Sequence, residues 1–131
     1  MIRSMVRAAA AWVGAACVLA AALDAAPASA ELLWSQSFDS RALGGPLRFS
    51  IYLPPGYHAP AEADRRYPAV YLLHGVGDDE RSWPRFGQVE DTMDRLIAEG
   101  SLPPFVVVMP DGRKSWWVDS ADIGGPGNYG T

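Results

Sequence analysis

Two short segments after residue 30 have the hydrophobic and polar pattern of β-strands. Leu33–Phe38 and Leu47–Leu53 have strand character. The second has the two-residue period of a half-buried strand, which places Leu47, Phe49, Ile51 and Leu53 inward and Arg48, Ser50 and Tyr52 outward. Gly44 and Gly45 lie between the two segments and take a positive φ at little cost, so the pattern predicts an antiparallel hairpin.

Two later segments are continuously apolar, which is typical of strands covered on both faces. These segments are Ala69–Leu73 and Phe105–Met109. Between them a polar turn is followed, from about Gln88, by a predicted helix that Gly100 ends with a left-handed cap. Its apolar stripe is Val89, Met93, Leu96 and Ile97, and Glu90, Asp91, Asp94 and Arg95 face away.

Strand, amphipathic helix and strand in this order predict a βαβ crossover in a parallel sheet. Ligands bind such sheets at the carboxyl ends of the strands. In this chain that edge carries His74–Asp79 and Asp111–Trp117, so we expect any chemistry there. One crossover helix cannot cover both faces of an open sheet, and we expect Tyr71, Leu73 and Val107 to face a layer that these elements do not supply.

The first 30 residues read as a secretory signal peptide. Arg3 and Arg7 precede a 16-residue apolar run, Ala8–Leu23, and Ala28-Ser29-Ala30 forms a small-x-small cleavage site. The run is shorter than the ~20 residues that a membrane-spanning helix needs. We therefore predict a signal peptide at 1–30, one domain at 31–131, and a secreted or periplasmic location. A lipoprotein modified at Cys17 is the minor alternative, because Gly14 poorly matches the leucine usual three residues earlier.

Composition narrows the function classes once the leader is set apart. Residues 31–131 hold 14 acidic and 9 basic residues, with no lysine–arginine cluster, which argues against a nucleic-acid surface or stable membrane association. Four tryptophans, five tyrosines and four phenylalanines in that part exclude a disordered chain. After cleavage no cysteine is left for a disulfide or a thiol nucleophile.

His74-Gly75-Val76 follows an apolar strand and allows a sharp turn. Such a turn can aim the backbone N–H of Val76 into a cleft, as acyl-transfer enzymes require for an oxyanion donor. An ordinary strand-to-helix turn is the alternative. For His74 we expect a structural role, with its ring hydrogen-bonded to backbone, rather than a role as general base. A dinucleotide fingerprint is rejected, because Glu80 stands where its third glycine belongs.

Acidic and aromatic side chains flank the same edge. Asp78, Asp79 and Glu80 lack the spacing of a calcium loop, and we expect a solvated acidic turn. Trp83, Trp116 and Trp117 suit a flat or sugar-like substrate. From the residues alone, we expect Trp83 to pack in the core. Adjacent residues in an extended stretch cannot both face one interior, so either Trp116 or Trp117 is expected to line the cleft.

Four ordered motifs carry a resemblance to a known family. They are Leu53-Pro54-Pro55-Gly56-Tyr57, Tyr67-Pro68-Ala69-Val70-Tyr71-Leu72-Leu73-His74-Gly75, Leu96-Ile97-Ala98-Glu99-Gly100 and Val106-Val107-Val108-Met109-Pro110-Asp111-Gly112. Over roughly residues 38–129 the chain resembles the esterase D and feruloyl-esterase-like branch of the α/β-hydrolases, which includes enterochelin esterases and mycolyltransferases. The implied fold is the N-terminal portion of an α/β-hydrolase sheet, a hairpin leading into a parallel βαβ unit.

The resemblance implies a serine hydrolase of carboxylic esters, which the leader would export, and we expect it to need no cofactor or metal. Its partner is a small-molecule or carbohydrate-linked ester. The residue after His-Gly donates an oxyanion N–H, which is Val76 here, and the family's aromatic after the acidic turn matches Trp83. Residues 115–120, which include Trp116 and Trp117, resemble the border of the acyl site.

No serine of this chain stands in a G-x-S-x-G nucleophile elbow. The chain therefore resembles the N-terminal part of an enzyme, and by itself it is expected to be inactive. The alternative is a non-catalytic fragment or binding protein that keeps the aromatic cleft. The particular ester and the oligomeric state stay open.

Overall fold

The computed structural model describes residues 28–130, and the predicted leader at residues 1–27 lies outside that range. The described part contains four strands: β1 Glu31–Ser40, β2 Gly45–Leu53, β3 Ala69–Tyr71 and β4 Val106–Pro110. None of the helices in residues 28–130 is long and apolar enough to cross a bilayer.

The four strands form one mixed sheet in the order β1-β2-β4-β3. Strand β2 pairs antiparallel with both β1 and β4, and β3 pairs parallel with β4. The predicted hairpin is confirmed, with Gly44 at a φ of 63° in its turn. The predicted parallel βαβ unit is confirmed as well, because the chain between β3 and β4 contains two helices.

The crossover holds α1, Ser82–Phe86, and α2, Val89–Ala98. The second matches the predicted helix, and Gly100 has the left-handed φ of 72° expected of its cap. The first falls partly in the stretch predicted as a polar turn. It is a single turn of five residues, too short to show an amphipathic period in the sequence. Two 3-10 turns, Pro60–Glu62 and Ala121–Ile123, complete the regular structure.

The core lies on the face of β2 and β4 that α2 covers. Tyr52 pairs with Val107, and Ser50 pairs with Met109, so these four side chains share one face. All four are buried, together with Val89 of α2. The prediction that Ser50 and Tyr52 point outward is therefore wrong. The alternation was read correctly, but the helix packs on the side with fewer aliphatic residues, where the Tyr52 ring supplies the apolar surface.

Strand β3 lies at the edge of the sheet in the described part of the chain, and its three residues are exposed. Tyr71 is 65% exposed and Leu73 46%, as expected of side chains without a covering layer. Val107 belongs to the core instead, at 1% exposed, so that part of the prediction is wrong. Coverage of β3 on both faces is also not found within residues 28–130.

A partly buried hydrogen bond anchors α2 to the sheet. The Tyr52 hydroxyl donates to Asp94 Oδ1 at 2.7 Å, so Asp94 turns toward the sheet rather than away from it as predicted. Burial, together with this bond, raises the pKa of Tyr52 well above that of a free tyrosine. Ionisation in the folded state would place a second negative charge against Asp94 in a site that excludes water.

We predict that Tyr52 makes the folded state less stable at alkaline pH. Its raised folded-state pKa contributes stability that is present below the unfolded value, about 10, and is lost as pH rises beyond it. In an ultraviolet titration one tyrosine should ionise only as the chain unfolds, and the Tyr52→Phe variant should lack that step. Tyr57→Phe, a substitution at an exposed position, is the control and should keep it. A Tyr52 phenol that ionises while the far-ultraviolet dichroism stays native would contradict the prediction.

Candidate active site

The carboxyl ends of β3 and β4 meet, and one imidazole joins them. The backbone N–H of Gly112 donates to His74 Nε2 at 2.9 Å. Because Nε2 accepts, the proton of the neutral ring is on Nδ1, which donates to the Gly75 carbonyl at 2.8 Å. The ring is almost fully buried, and both nitrogens are bound to backbone. The expected structural role of His74 is confirmed.

The segment after His74 forms a tight turn. Asp78 N–H donates to the Gly75 carbonyl at 3.2 Å, and Gly77 has a φ of 91°, which favours glycine. Val76 is the second residue of this turn, a position whose N–H the turn leaves free. Val76 is 66% exposed, and within residues 28–130 its N–H has no hydrogen-bond acceptor. A free backbone donor therefore stands at the edge where chemistry was expected.

Two tryptophans hold the backbone just before this turn. Trp83 Nε1 of α1 donates to the Leu73 carbonyl at 3.1 Å. Trp117 Nε1, from the segment after β4, donates to the His74 carbonyl at 3.1 Å. Trp83 is 39% exposed, so core packing does not describe it.

Trp116 and Trp117 are not in an extended stretch as the prediction assumed. Both have left-handed φ angles, 56° and 57°, and the Trp117 N–H donates to Ser115 Oγ at 3.1 Å. This sharp bend sends the two rings in different directions. Trp117 lies edge-on to the His74 ring, with centroids 5.0 Å apart, whereas Trp116 is 76% exposed.

The His74–Gly75 backbone separates two open clefts at this edge. The larger, of about 270 Å³, is lined by His74, Gly75, Asp78, Ser82, Trp83, Phe86 and Gly87. The smaller, of about 140 Å³, is lined by His74, Gly75, Val76, Gly112, Arg113, Lys114, Trp116 and Trp117. The structure thus brings all four predicted site residues to one edge, with Trp83 in one cleft and the other three in the second. A bigger cavity, of about 530 Å³, lies away from this edge, and residues 28–30, which belong to the predicted leader, form part of its wall.

Glu80 is 1% exposed, so the expectation of a fully solvated acidic turn is wrong at this residue. Ser35 Oγ donates to Glu80 Oε1 at 2.7 Å. Ser35 lies at an irregularity of β1 with a φ of 48°, and its own N–H donates to Ser50 Oγ at 3.2 Å. Glu80 Oε2 is buried without a hydrogen-bond partner in the described part of the chain, and lies 3.6 Å from Arg48 Nη2.

Arg48 lies between two acidic groups. Its Nη2 donates to Asp111 Oδ2 at 3.0 Å, and this bond, together with the charge of Glu80, raises the pKa of Arg48. Asp111 also accepts the N–H of Arg113 at 2.9 Å through Oδ1. The group of Ser35, Arg48, Glu80 and Asp111, here named the acid clasp, ties the turn after β3 to strands β1 and β2 and to the end of β4.

Sequence reasoning missed the acid clasp. The one local signal was Arg48, a charged residue amid alternating apolar residues, and it does not name its partners because Glu80 and Asp111 lie 32 and 63 positions further along. Calcium ligation by Asp78, Asp79 and Glu80 finds no support, since Glu80 turns to Ser35. Among residues 28–130 no group of three or more histidine, cysteine or acidic residues is arranged to hold a metal ion.

The described residues thus combine a mixed sheet with a glycine-flanked turn that leaves one N–H free at the carboxyl edge. Residues 40–130 match the profile of the Esterase family, described as "Putative esterase". The chain belongs to this family, and the resemblance drawn from its motifs is confirmed.

Curated relatives carry related names. A protein of Xylanibacter ruminicola named endo-1,4-beta-xylanase/feruloyl esterase is 43% identical over 77 residues, which are 58% of this chain and 11% of that protein. An esterase of Mycobacterium tuberculosis is 31% identical over 101 residues, which are 76% of this chain and 20% of that protein. The chain therefore spans between a tenth and a fifth of these relatives.

Solved structures support the same fold. A ferulic acid esterase superposes with a TM-score of 0.59 and 28% identity, covering 65% of this chain and 31% of that one. A mutant of the feruloyl esterase module from Clostridium thermocellum, complexed with sinapinate, superposes with a TM-score of 0.52 and 25% identity, covering 61% and 26%. The described residues are the N-terminal portion of an α/β-hydrolase sheet, as predicted.

We predict that the acid clasp contributes to folding stability. Glu80→Ala leaves the Ser35 hydroxyl without its acceptor and Arg48 without one of its two negative neighbours, and should lower the free energy of unfolding by about 1–3 kcal/mol, measured by urea denaturation. The control is Glu99→Ala, which removes only the exposed i,i+4 pair with Arg95 and should change stability by less than about 0.5 kcal/mol. Equal changes in the free energy of unfolding for the two variants would contradict a stabilising role of the buried Glu80.

Proposed function

We propose that this chain forms the oxyanion side of a serine carboxylic-ester hydrolase. The observation that carries the proposal is the free N–H of Val76, in a tight turn at the carboxyl edge of the sheet. When a nucleophile attacks an ester carbonyl, negative charge develops on the carbonyl oxygen. A backbone N–H held at that oxygen stabilises the transition state more than the ground state, by roughly 3–4 kcal/mol for one donor.

The nucleophile, the histidine base and the acid lie, in this proposal, on a segment outside the 131 residues. Ser82, Ser101, Ser115 and Ser120 all lack the elbow pattern, and Ser115 is buried in its turn. His74 is unsuited to act as base, because Gly112 N–H occupies the nitrogen that would take the proton. In α/β-hydrolases the second oxyanion donor is the residue after the nucleophile. The same outside segment would therefore complete the oxyanion hole.

The proposed substrate is a small-molecule or carbohydrate-linked ester. Rings of Trp83, Trp116 and Trp117 line the clefts beside Val76, and such surfaces suit a flat or sugar-like group. Two of the similar structures are a ferulic acid esterase and a feruloyl esterase module complexed with sinapinate, which supports an aromatic acyl group. The net negative charge of residues 31–131 supports a role away from nucleic acid and membrane surfaces.

We also propose export, with residues 1–30 as signal peptide and 31–131 as part of the esterase domain. Support comes from the small-x-small site at residues 28–30 and from β1, whose first residue, Glu31, directly follows it. The predicted cleavage would leave the strand whole.

Catalysis is tested by comparing two lengths of chain. Residues 31–131 alone should hydrolyse no p-nitrophenyl acetate above background and take up no fluorophosphonate probe, because a lone donor in an open, wet cleft is screened by water. The chain continued through a G-x-S-x-G segment should do both. Probe uptake by residues 31–131 would refute the assignment, and an inactive continued chain would favour a binding protein that keeps the aromatic cleft.

Val76→Pro, made in the continued chain, tests the donor itself. Proline at the second position of this turn removes the N–H while fitting the turn's φ, and should lower kcat on the order of 100-fold or more. Val76→Ala is the matched control, since it shortens an exposed side chain and keeps the N–H, so its kcat should stay close to that of the parent. If both variants lose activity equally, the side chain of Val76 matters and its N–H does not.

Export is tested by N-terminal sequencing of the product recovered outside the cytoplasm. We expect the sequence to begin at Glu31. Replacing Ala28 and Ala30 with leucine, which the cleavage site does not accommodate, should block processing. Recovery of a soluble cytoplasmic protein that still begins at Met1 would contradict the proposal.

A further inference from the structure

Two consecutive carbonyls at the end of β3 are held by two tryptophans from different parts of the chain. The Leu73 carbonyl accepts the indole N–H of Trp83, and the His74 carbonyl accepts that of Trp117, each at 3.1 Å. Trp83 belongs to α1, inside the crossover between β3 and β4, and Trp117 lies after β4. The two donors therefore come from separate segments of the chain. The indole N–H is a donor only, and each carbonyl therefore fixes the direction of one ring.

Each indole lies against a glycine that leaves it room. A Cβ on Gly87 would come within 2.8 Å of Trp83 Cε3, and one on Gly112 within 2.6 Å of Trp117 Cη2. Trp117 is further constrained by its left-handed backbone and by the Ser115 hydroxyl, which accepts the backbone N–H of Trp117. Rings that only formed a cleft wall would not need an N–H aimed at backbone.

The two carbonyls determine how the turn begins. The His74 carbonyl belongs to the peptide group that leads into Gly75, and Gly75 opens the turn that presents the Val76 N–H. Glycine at position 75 tolerates many backbone angles, so this peptide group needs outside contacts to keep one orientation. The indole bonds supply them without adding a net charge close to the proposed oxyanion.

We infer that Trp83 and Trp117 are positioning residues whose indole N–H groups fix the orientation of the Val76 N–H. The inference rests on the proposed function and deepens it. The proposed function assigns the rings of Trp83 and Trp117 to substrate binding, and the inference adds a separate role for their indole N–H groups. A ring that contacts substrate acts through its face and affects KM. A ring that positions the donor acts through its N–H and affects kcat.

Tryptophan-to-phenylalanine substitutions separate the two roles, because phenylalanine keeps an aromatic ring and lacks the N–H. In the continued chain, Trp83→Phe and Trp117→Phe should each lower kcat on the order of 10-fold, with KM changed less than about 2-fold, as expected for a misplaced transition-state donor. The matched control is Trp34→Phe, a partly exposed position on β1 away from both clefts, which should leave both constants unchanged. A raised KM with unchanged kcat, or no change in either, would overturn the inference.

Amide hydrogen exchange gives a second measurement that does not need activity. In Trp83→Phe and Trp117→Phe the Asp78 amide, whose N–H donates to the Gly75 carbonyl, should exchange on the order of 10-fold faster, while the Val107 and Val108 amides in β4 keep their protection. Unchanged exchange at the turn would overturn the inference, and lost protection in β4 would assign both residues to general folding. If the continued parent chain hydrolyses no ester, the proposed function fails, and exchange in the same protein still decides the positioning role.

Discussion

The hydrogen bond from Gly112 N–H to His74 Nε2 is the contact on which the arrangement of this edge depends. The strand pairings end at Tyr71 in β3 and at Pro110 in β4. The imidazole then joins the two loops that follow these strands, through a hydrogen bond of 2.9 Å. Once Nε2 accepts, Nδ1 must donate, and it donates to Gly75. One side chain thus joins both loops, and its two hydrogen bonds assign its tautomer. The Trp117 indole adds a second link between the same two loops, because it donates to the His74 carbonyl.

The fold followed from local patterns because those patterns record which surfaces must be buried. The stripe of Val89, Met93 and Ile97 predicted α2 correctly, and Gly44 and Gly100 take the backbone angles that their positions required. The orientation of β2 was harder to predict. Leu47, Phe49 and Ile51 are more apolar than Ser50 and Tyr52, yet the helix packs on the latter, since Ser50 and Tyr52 find partners for their hydroxyl groups in Ser35 and Asp94. Pairings between residues so far apart leave no trace in a single sequence.

The same reason explains which part of the candidate site sequence reasoning reached. His74, Gly75 and Val76 are adjacent, so their turn is a local property. The left-handed pair Trp116 and Trp117 was misread as extended, because tryptophan rarely takes a positive φ unless contacts such as those with Ser115 and His74 hold it there. Glu80 was misread because an acidic run is normally solvated. Its burial depends on Ser35, 45 positions earlier, and on an irregularity in β1 that hydrophobic alternation cannot reveal.

Of the three acidic residues at positions 78–80, Glu80 is placed away from the proposed oxyanion. A carboxylate beside an oxyanion donor opposes the charge that develops there, and Asp78, the last residue of the turn, lines the larger cleft. Glu80 is removed from that surface, turned to Ser35 and faced by Arg48, whose charge is shared with Asp111. The groups that hold the backbone next to Val76 are neutral donors, two indoles and one imidazole. Rigidity next to Val76 is therefore supplied by uncharged hydrogen bonds, and the two buried carboxylates, Glu80 and Asp111, are both faced by Arg48. A preorganised neutral frame keeps its effect when water is excluded, because it carries no charge whose desolvation would have to be offset.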